Sequence, residues 1–160
     1  MAPDSGDPGF GVIPPERART MDGLALFREI MEGRLPAPPI AGVLGFRLAE
    51  ADCGRVVFGY MPMADHYNPM GGVHGGIAAT LLDSAMGCAV HSTLKAGTSY
   101  TTLEIKVNYV RAMTERTGPV RAEGKVISAG SRIATAEGRL FDALGRVVAH
   151  GSTTCLIFAI

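Results

Sequence analysis

One carboxylate stands apart in this sequence. Asp83 is the only Asp, Glu, Lys or Arg between His66 and Leu94, within a run of small and apolar residues. A lone carboxylate there is costly unless it is hydrogen-bonded or put to chemical use, which marks Asp83 as a candidate catalytic group. The alternative is a helix residue on a solvated or interface stripe. Upstream, His74-Gly75-Gly76 lies where a turn-rich segment becomes a helix. The first N–H groups of a helix have no internal partner and carry the positive end of its dipole. Glycine lets a substrate oxygen come close to those groups, as in an oxyanion hole made of main chain. Alternatively, the two glycines only permit close helix–sheet packing. Asn68, before Pro69, could hold a carbonyl or a water, or form an Asx-turn. Thr102 lies on the polar face of a strand, suited to bonding a water or a carboxylate, or to a structural role. Arg111, Arg116, Arg121 and Arg132 fall near strand ends or turns, where phosphate binding competes with a plain solvated face.

The motifs that are missing narrow the chemistry. There is no GxSxG elbow, no P-loop, no HExxH and no GxGxxG. The four histidines, His66, His74, His91 and His150, have no carboxylate cluster around them, so no metal site is expected. Cys53, Cys88 and Cys155 are odd in number and far apart, which argues against a disulfide framework or a zinc site. They read as free buried thiols in a reducing cytoplasm. Fifteen basic residues balance fifteen acidic ones, leaving no global field to recruit nucleic acid or a membrane surface. Charged residues are 19% of the chain, below the ~25% of typical soluble chains, which favours surface covered in a homo-oligomer. The N-terminal 20 residues hold Asp4, Asp7 and four prolines and no apolar run, unlike a signal peptide. Ile77 to Val90 is too short for a membrane span.

The chain's 160 residues fit one domain. Residues 1–21 read as a flexible arm and 22–160 as the domain. A helix is expected near 22–32, then an extended linker over Pro36–Pro39. Strands at Phe46–Glu50 and Arg55–Met61 form a hairpin around Asp52-Cys53-Gly54. Gly75 to Leu94 is the long helical candidate, and without a broad polar face it must be enclosed on most sides. Strict alternation marks a strand over 101–109, followed by strands at 120–128, 132–141 and 146–158. Short turns between them imply antiparallel neighbours, so the prediction is an α+β fold, one antiparallel sheet curled around one central helix. The helix also sets a distance. Gly75 and Asp83 are eight residues apart, ~12 Å along the axis. One helix cannot bring both to the same bond, so joint action requires two subunits. Met61, Met63, Met70, Met86 and Met113 suit an adaptable apolar pocket or a core.

From His66-Tyr67-Asn68-Pro69-Met70-Gly71-Gly72-Val73-His74-Gly75-Gly76 through Ile77–Leu82 to Asp83-Ser84-Ala85-Met86-Gly87, the sequence resembles the hotdog-fold acyl-CoA thioesterases of the PaaI-like type. The family pattern is an Asn, a Gly, then His-Gly-Gly opening the central helix, with an Asp nine residues after the His. Asn68, His74, Gly75 and Asp83 match it in type and spacing. Tyr100 to Glu104 and Ala149-His150 are also similar, and the likeness covers about residues 22–158.

The resemblance implies two protomers joining sheets side by side and hydrolysis of an acyl-CoA to free acid and coenzyme A. Asp83 would be general base or nucleophile and Thr102 its assistant. The Gly75 N–H would polarise the thioester carbonyl, His74 would fix the loop, and Asn68 would orient the carbonyl or the water. Asn68 and Gly75 of one protomer would face Asp83 and Thr102 of the other. Arg111 and Arg132 are then expected to hold the phosphates of coenzyme A, which enters as substrate. No separate cofactor is implied. Two other readings remain: a hotdog-fold enoyl-CoA hydratase, for which Asp65 with Asn68-Pro69 is one residue too widely spaced, and a non-catalytic acyl-CoA-binding module.

Overall fold

The computed structural model describes residues 9–160 of the chain. In order come α1 (Pro15–Thr20), α2 (Gly23–Met31), α3 (Pro39–Leu44), β1 (Phe46–Asp52), β2 (Arg55–Tyr60), α4 (Gly75–His91), β3 (Thr98–Tyr109), β4 (Val120–Ala129), β5 (Ile133–Phe141) and β6 (Val147–Ala159). The six strands form one antiparallel sheet in the order β1-β2-β4-β5-β6-β3. This is the predicted hotdog architecture. The β1–β2 and β4–β5–β6 connections are hairpins, whereas β3 crosses to the far edge. There it pairs with β6 from Thr98↔Ala159 to Tyr109↔Ala149 and presents its other side unpaired.

The long helix lies on the concave face of this sheet. Leu81, Leu82, Ala85, Met86, Ala89 and Val90 are fully buried, as expected of a helix without a polar face. Its closest approach is over β4. A Cβ at Gly124 would collide with the Ala85 carbonyl, so the sheet needs glycine there to let the helix down. Met86 fills the corresponding space over Gly138 on β5.

The arm expected over 1–21 contains regular structure from residue 9 onward: Gly11 N–H donates to the Ala37 carbonyl at 2.9 Å, and Pro15–Thr20 forms α1. Residues 1–8 lie outside the described residues. The physical reason is Pro15, whose fixed φ suits the first position of a helix. The linker expected over Pro36–Pro39 is extended as far as Pro38, and then an unforeseen helix, α3, begins with Pro39 at its first position and closes at Gly45 in the left-handed conformation (φ 67°). Finally, Cys53 is exposed on the β1–β2 turn, while Cys155 is buried and Cys88 half-buried. Asp22 does sit at the start of α2, but it makes no cap bond there. Its carboxylate accepts from the Ala96 N–H at 2.9 Å and from Lys95 Nζ at 3.0 Å, tying α2 to the loop that leads into β3. Those bonds hold its pKa below the usual aspartate range, the Ala96 N–H first among them.

Candidate active site

The loop before α4 is held by its own polar groups. His74 N–H donates to the His66 carbonyl (2.8 Å), and Asn68 N–H to the Gly72 carbonyl (2.7 Å). Tyr60 Oη lies 2.8 Å from His66 Nδ1, with the two rings stacked. Asn68 is both an Asx-turn and a candidate donor. Its Oδ1 accepts from the Met70 N–H at 2.9 Å and, more weakly, from Gly72 at 3.4 Å. The amide Nδ2 has no such partner among the described residues, so what the side chain can offer a ligand is a donor.

His74 is the N-cap of α4. Its Nδ1 accepts from the Gly76 N–H at 2.9 Å, and its carbonyl accepts from Ile77 at 3.0 Å. These bonds occupy two of the helix's orphan donors. Among the described residues no acceptor meets the Gly75 N–H. It remains at the positive end of a 17-residue helix. A Cβ at Gly75 would stand 3.1 Å from the exposed Tyr109 ring, which would have to shift to admit it. Tyr109, which sequence reasoning missed, also donates its hydroxyl to the Gly75 carbonyl at 3.2 Å. The aromatic at a strand end was visible, but nothing local connects it to a residue 34 positions earlier.

Two turns along, Asp83 is half-buried and faces β3. Thr102 Oγ1 donates to its Oδ1 at 2.9 Å, which leaves the other carboxylate oxygen to act. Two thiols lie in the same electrostatic neighbourhood. Cys88 is pushed up to about 12, by burial first and by the Asp83 charge second. Cys155 is raised as well, chiefly by burial. Neither thiol supplies a thiolate at neutral pH, which leaves the carboxylate as the candidate reactive group of this cluster.

The remaining candidates divide. Arg111 borders a small cavity of about 300 Å³ together with Gly75, Tyr109 and Met113. One of its guanidinium nitrogens donates to the Val147 carbonyl at 2.9 Å. Arg132 is exposed at the other end of the sheet, level with Ile157 near the start of β3. Within one protomer the two arginines are therefore not brought together. Asp65 is exposed on the turn Ala64–His66, and the neighbouring His66 is engaged by Tyr60. The methionines separate too: Met86 and Met113 are core, while Met61, Met63 and Met70 are exposed. Among the described residues no group of His, Cys, Asp and Glu could hold a metal ion, and no helix is long and apolar enough to cross a membrane.

A helix that enters the concave face of an antiparallel sheet through a His-Gly-Gly start, and carries a bonded carboxylate two turns later, defines a hotdog-fold protein of the thioesterase kind. The Thioesterase superfamily profile matches residues 70–149, half of the chain, and the chain belongs to that superfamily. It is 35% identical over 99 residues to a protein of Halobacterium salinarum whose name proposes an esterase. That match covers 59% of this chain and spans 64% of the relative's length. Among solved structures, a protein of Ralstonia eutropha JMP134, related to phenylacetic acid degradation and proposed as a thioesterase, superposes with a TM-score of 0.74. It is 28% identical, over 81% of this chain and 98% of that one. The PaaI protein of E. coli, from the phenylacetic acid degradation operon, shares the fold with a TM-score of 0.72 at 18% identity, over 86% of this chain and 91% of its own.

Proposed function

We propose that the protein is an acyl-CoA thioesterase acting as a homo-oligomer with sites shared between protomers. The observation that carries this reading is the division of labour along α4: an unpaired N–H at Gly75 and, two turns on, the Asp83 carboxylate held by Thr102. In the proposed reaction Asp83 takes a proton from water as the water oxygen bonds to the thioester carbon. The oxyanion accepts from the Gly75 N–H and Asn68 Nδ2 of the facing protomer. The C–S bond then breaks, Asp83 returns the proton to sulfur, and the products are a carboxylic acid and free coenzyme A. No cofactor or metal takes part in this scheme.

The unpaired side of β3 supports the shared site. This 12-residue edge strand exposes Leu103 and Tyr109 beside Glu104 and Lys106, and a long unpaired edge is a template for another strand. Arg111, beside Gly75, suits a coenzyme A phosphate through charge-assisted bonds. Arg132 enters the same composite site only from the protomer that supplies Asp83.

The test is thiol release from a panel of acyl-CoAs by the full chain. Free coenzyme A is the expected product. A hydrated acyl-CoA would point to the hydratase reading, and binding without turnover to the non-catalytic module. In the same assay Arg111→Ala and Arg132→Ala are expected to raise KM and leave kcat nearly unchanged, because they remove binding shared by ground and transition states. Unaltered KM in both variants would remove the phosphate assignment.

A further inference from the structure

A second, larger cavity, lined on the α4 side by Cys88 and His91, is unused by the chemistry above. It has a volume of about 660 Å³ and lies between the C-terminal half of α4, β1 and β2 on one side and Phe10–Ile13, α2 and α3 on the other. That volume falls within the range of small-molecule pockets. We propose that this cavity receives the acyl part of the substrate and selects an uncharged, medium-length acyl chain. This inference rests on the thioesterase reading.

Three observations carry it. The first is that lining residues stand next to Asp83. Asp83, Gly87 and His91 lie at i, i+4 and i+8, along one face of α4. Gly87 is bare because the Tyr100 hydroxyl packs against it, where a Cβ would collide. Tyr100 is two residues before Thr102 on β3 and so shares its face. Tyr100, Cys88 and His91 all line the cavity, and both Tyr100 and Cys88 feel the Asp83 charge. A chain leaving a carbonyl held at Asp83 therefore runs past Cys88 and Tyr100 into the space bounded by Leu26, Phe27, Ile30, Phe46 and Phe58.

The second observation is charge. Arg47 is the only Asp, Glu, Lys or Arg among the described residues that line the cavity. It is exposed at the rim, with its guanidinium 5.9 Å from the centre of the Phe10 ring. His91, packed edge-on against Phe27, is held neutral by burial. Among the described residues nothing inside the cavity neutralises a second carboxylate on the acyl group, and burying one unpaired is costly.

The third is length. From Asp83 to His91 the helix advances ~12 Å. An extended chain gains ~1.2 Å per bond, from ~3.6 Å per three-bond residue, so about ten bonds, or about eleven carbons, set the upper limit, and an acyl group of about eight to ten carbons fits within it. The far wall, Phe10 to Phe58, precedes the residues matched by the superfamily profile. The length limit is thus set by a part of this chain that lies outside the shared catalytic segment.

The test compares acetyl-CoA, octanoyl-CoA and hexanedioyl-CoA with wild-type protein, Ile30→Trp, which fills the cavity, and Ile30→Ala, which enlarges it. Octanoyl-CoA is expected to exceed the other two in kcat/KM by at least about tenfold, since even one methylene in an apolar pocket discriminates by about 10–200-fold. Ile30→Trp should remove that advantage and leave acetyl-CoA within about twofold of wild type, while Ile30→Ala should move the optimum to longer chains, as apolar contacts are lost or gained only beyond the carbonyl. Equal effects on acetyl- and octanoyl-CoA, or no effect in folded Ile30→Ala, would overturn the cavity assignment and leave the thioesterase reading intact. Calorimetric binding of octanoyl-CoA against coenzyme A separates the other failure. If nothing is hydrolysed but octanoyl-CoA still binds more tightly, and Ile30→Trp abolishes the difference, the cavity assignment stands and the thioesterase reading falls. Preferred hydrolysis of hexanedioyl-CoA would overturn the uncharged class.

Discussion

Asp83→Asn is expected to lower kcat by about 10²–10⁴-fold, the usual cost of removing a general base. Its KM and thermal unfolding should stay close to wild type. The substitution preserves shape, and the Thr102 hydroxyl that now donates to Oδ1 at 2.9 Å can still donate to the amide oxygen. What disappears is the acceptor for a proton. Asp83 is half-buried rather than sealed in the core, so the neutral amide leaves no buried charge unpaired elsewhere. The thiols beside it offer no bypass, because burial keeps Cys88 and Cys155 protonated at neutral pH. Steady-state thiol release with octanoyl-CoA, run beside a melting curve, decides the matter. Wild-type turnover by the folded variant would end the assignment of Asp83, and loss of activity through unfolding would show in the melt. If the carboxylate attacks the thioester directly, the same variant also loses activity. Water attack at the Asp83 carbon of the resulting anhydride would, in a single turnover in ¹⁸O-water, place the label in Asp83 and leave the acid unlabelled, whereas general-base attack places it in the acid.

Much of this site is legible along the chain because its main members lie within one segment. A single charged residue in a small-residue helix is an anomaly that needs no tertiary knowledge, and His-Gly-Gly before that helix fixes where its free donors are. The alternation from Thr101 to Tyr109 gives the strand that meets Asp83 but not its faces: a bulge between Thr102 and Glu104 breaks the strict period of two, so Leu103 is exposed and Thr102 turns to Asp83 instead of sharing a polar face with Glu104, Lys106 and Asn108. What stayed hidden depends on long-range contact. Tyr109 supports Gly75 from the opposite end of β3. The large cavity is closed by Phe10–Ile13, α2 and α3, whose sequences look like an arm, a short helix and a proline linker until they are folded over α4. The signals for α3, Pro39 at its first position and Gly45 just past its end, are local. They were outweighed by the extended preference that Pro38 and Pro39 impose on the residues before them. The fate of Asp22 follows the same logic: its position marks the start of a helix, but its carboxylate was captured by Ala96 and Lys95 from another part of the chain.

Mixing two inactive variants should restore activity. Asp83→Asn protomers lack the base, and Asn68→Ala protomers lack a donor to the oxyanion, a loss of about 10²–10³-fold in comparable sites. Gly75 and Asp83 are ~12 Å apart along α4, too far to serve one carbonyl from one chain. Near Tyr109, β3 contacts the Gly75 end of the helix, and at Thr102 it contacts Asp83. An antiparallel pairing of two β3 edges centred between Ile105 and Lys106 therefore sets the Gly75 end of one protomer beside the Asp83 end of the other. In a heterodimer of the two variants, one site then collects both lesions and the other collects none. Because a two-fold dimer has two equivalent sites, recovery of up to about half the wild-type rate per heterodimer is expected. Subunit exchange is confirmed by native mass spectrometry, and activity is read after the exchange. A mixed dimer seen by mass with no recovered activity would mean that the donor and the base act within one chain, and the choice of Gly75 and Asn68 as donors to the carbonyl facing the other protomer's Asp83 would have to be abandoned.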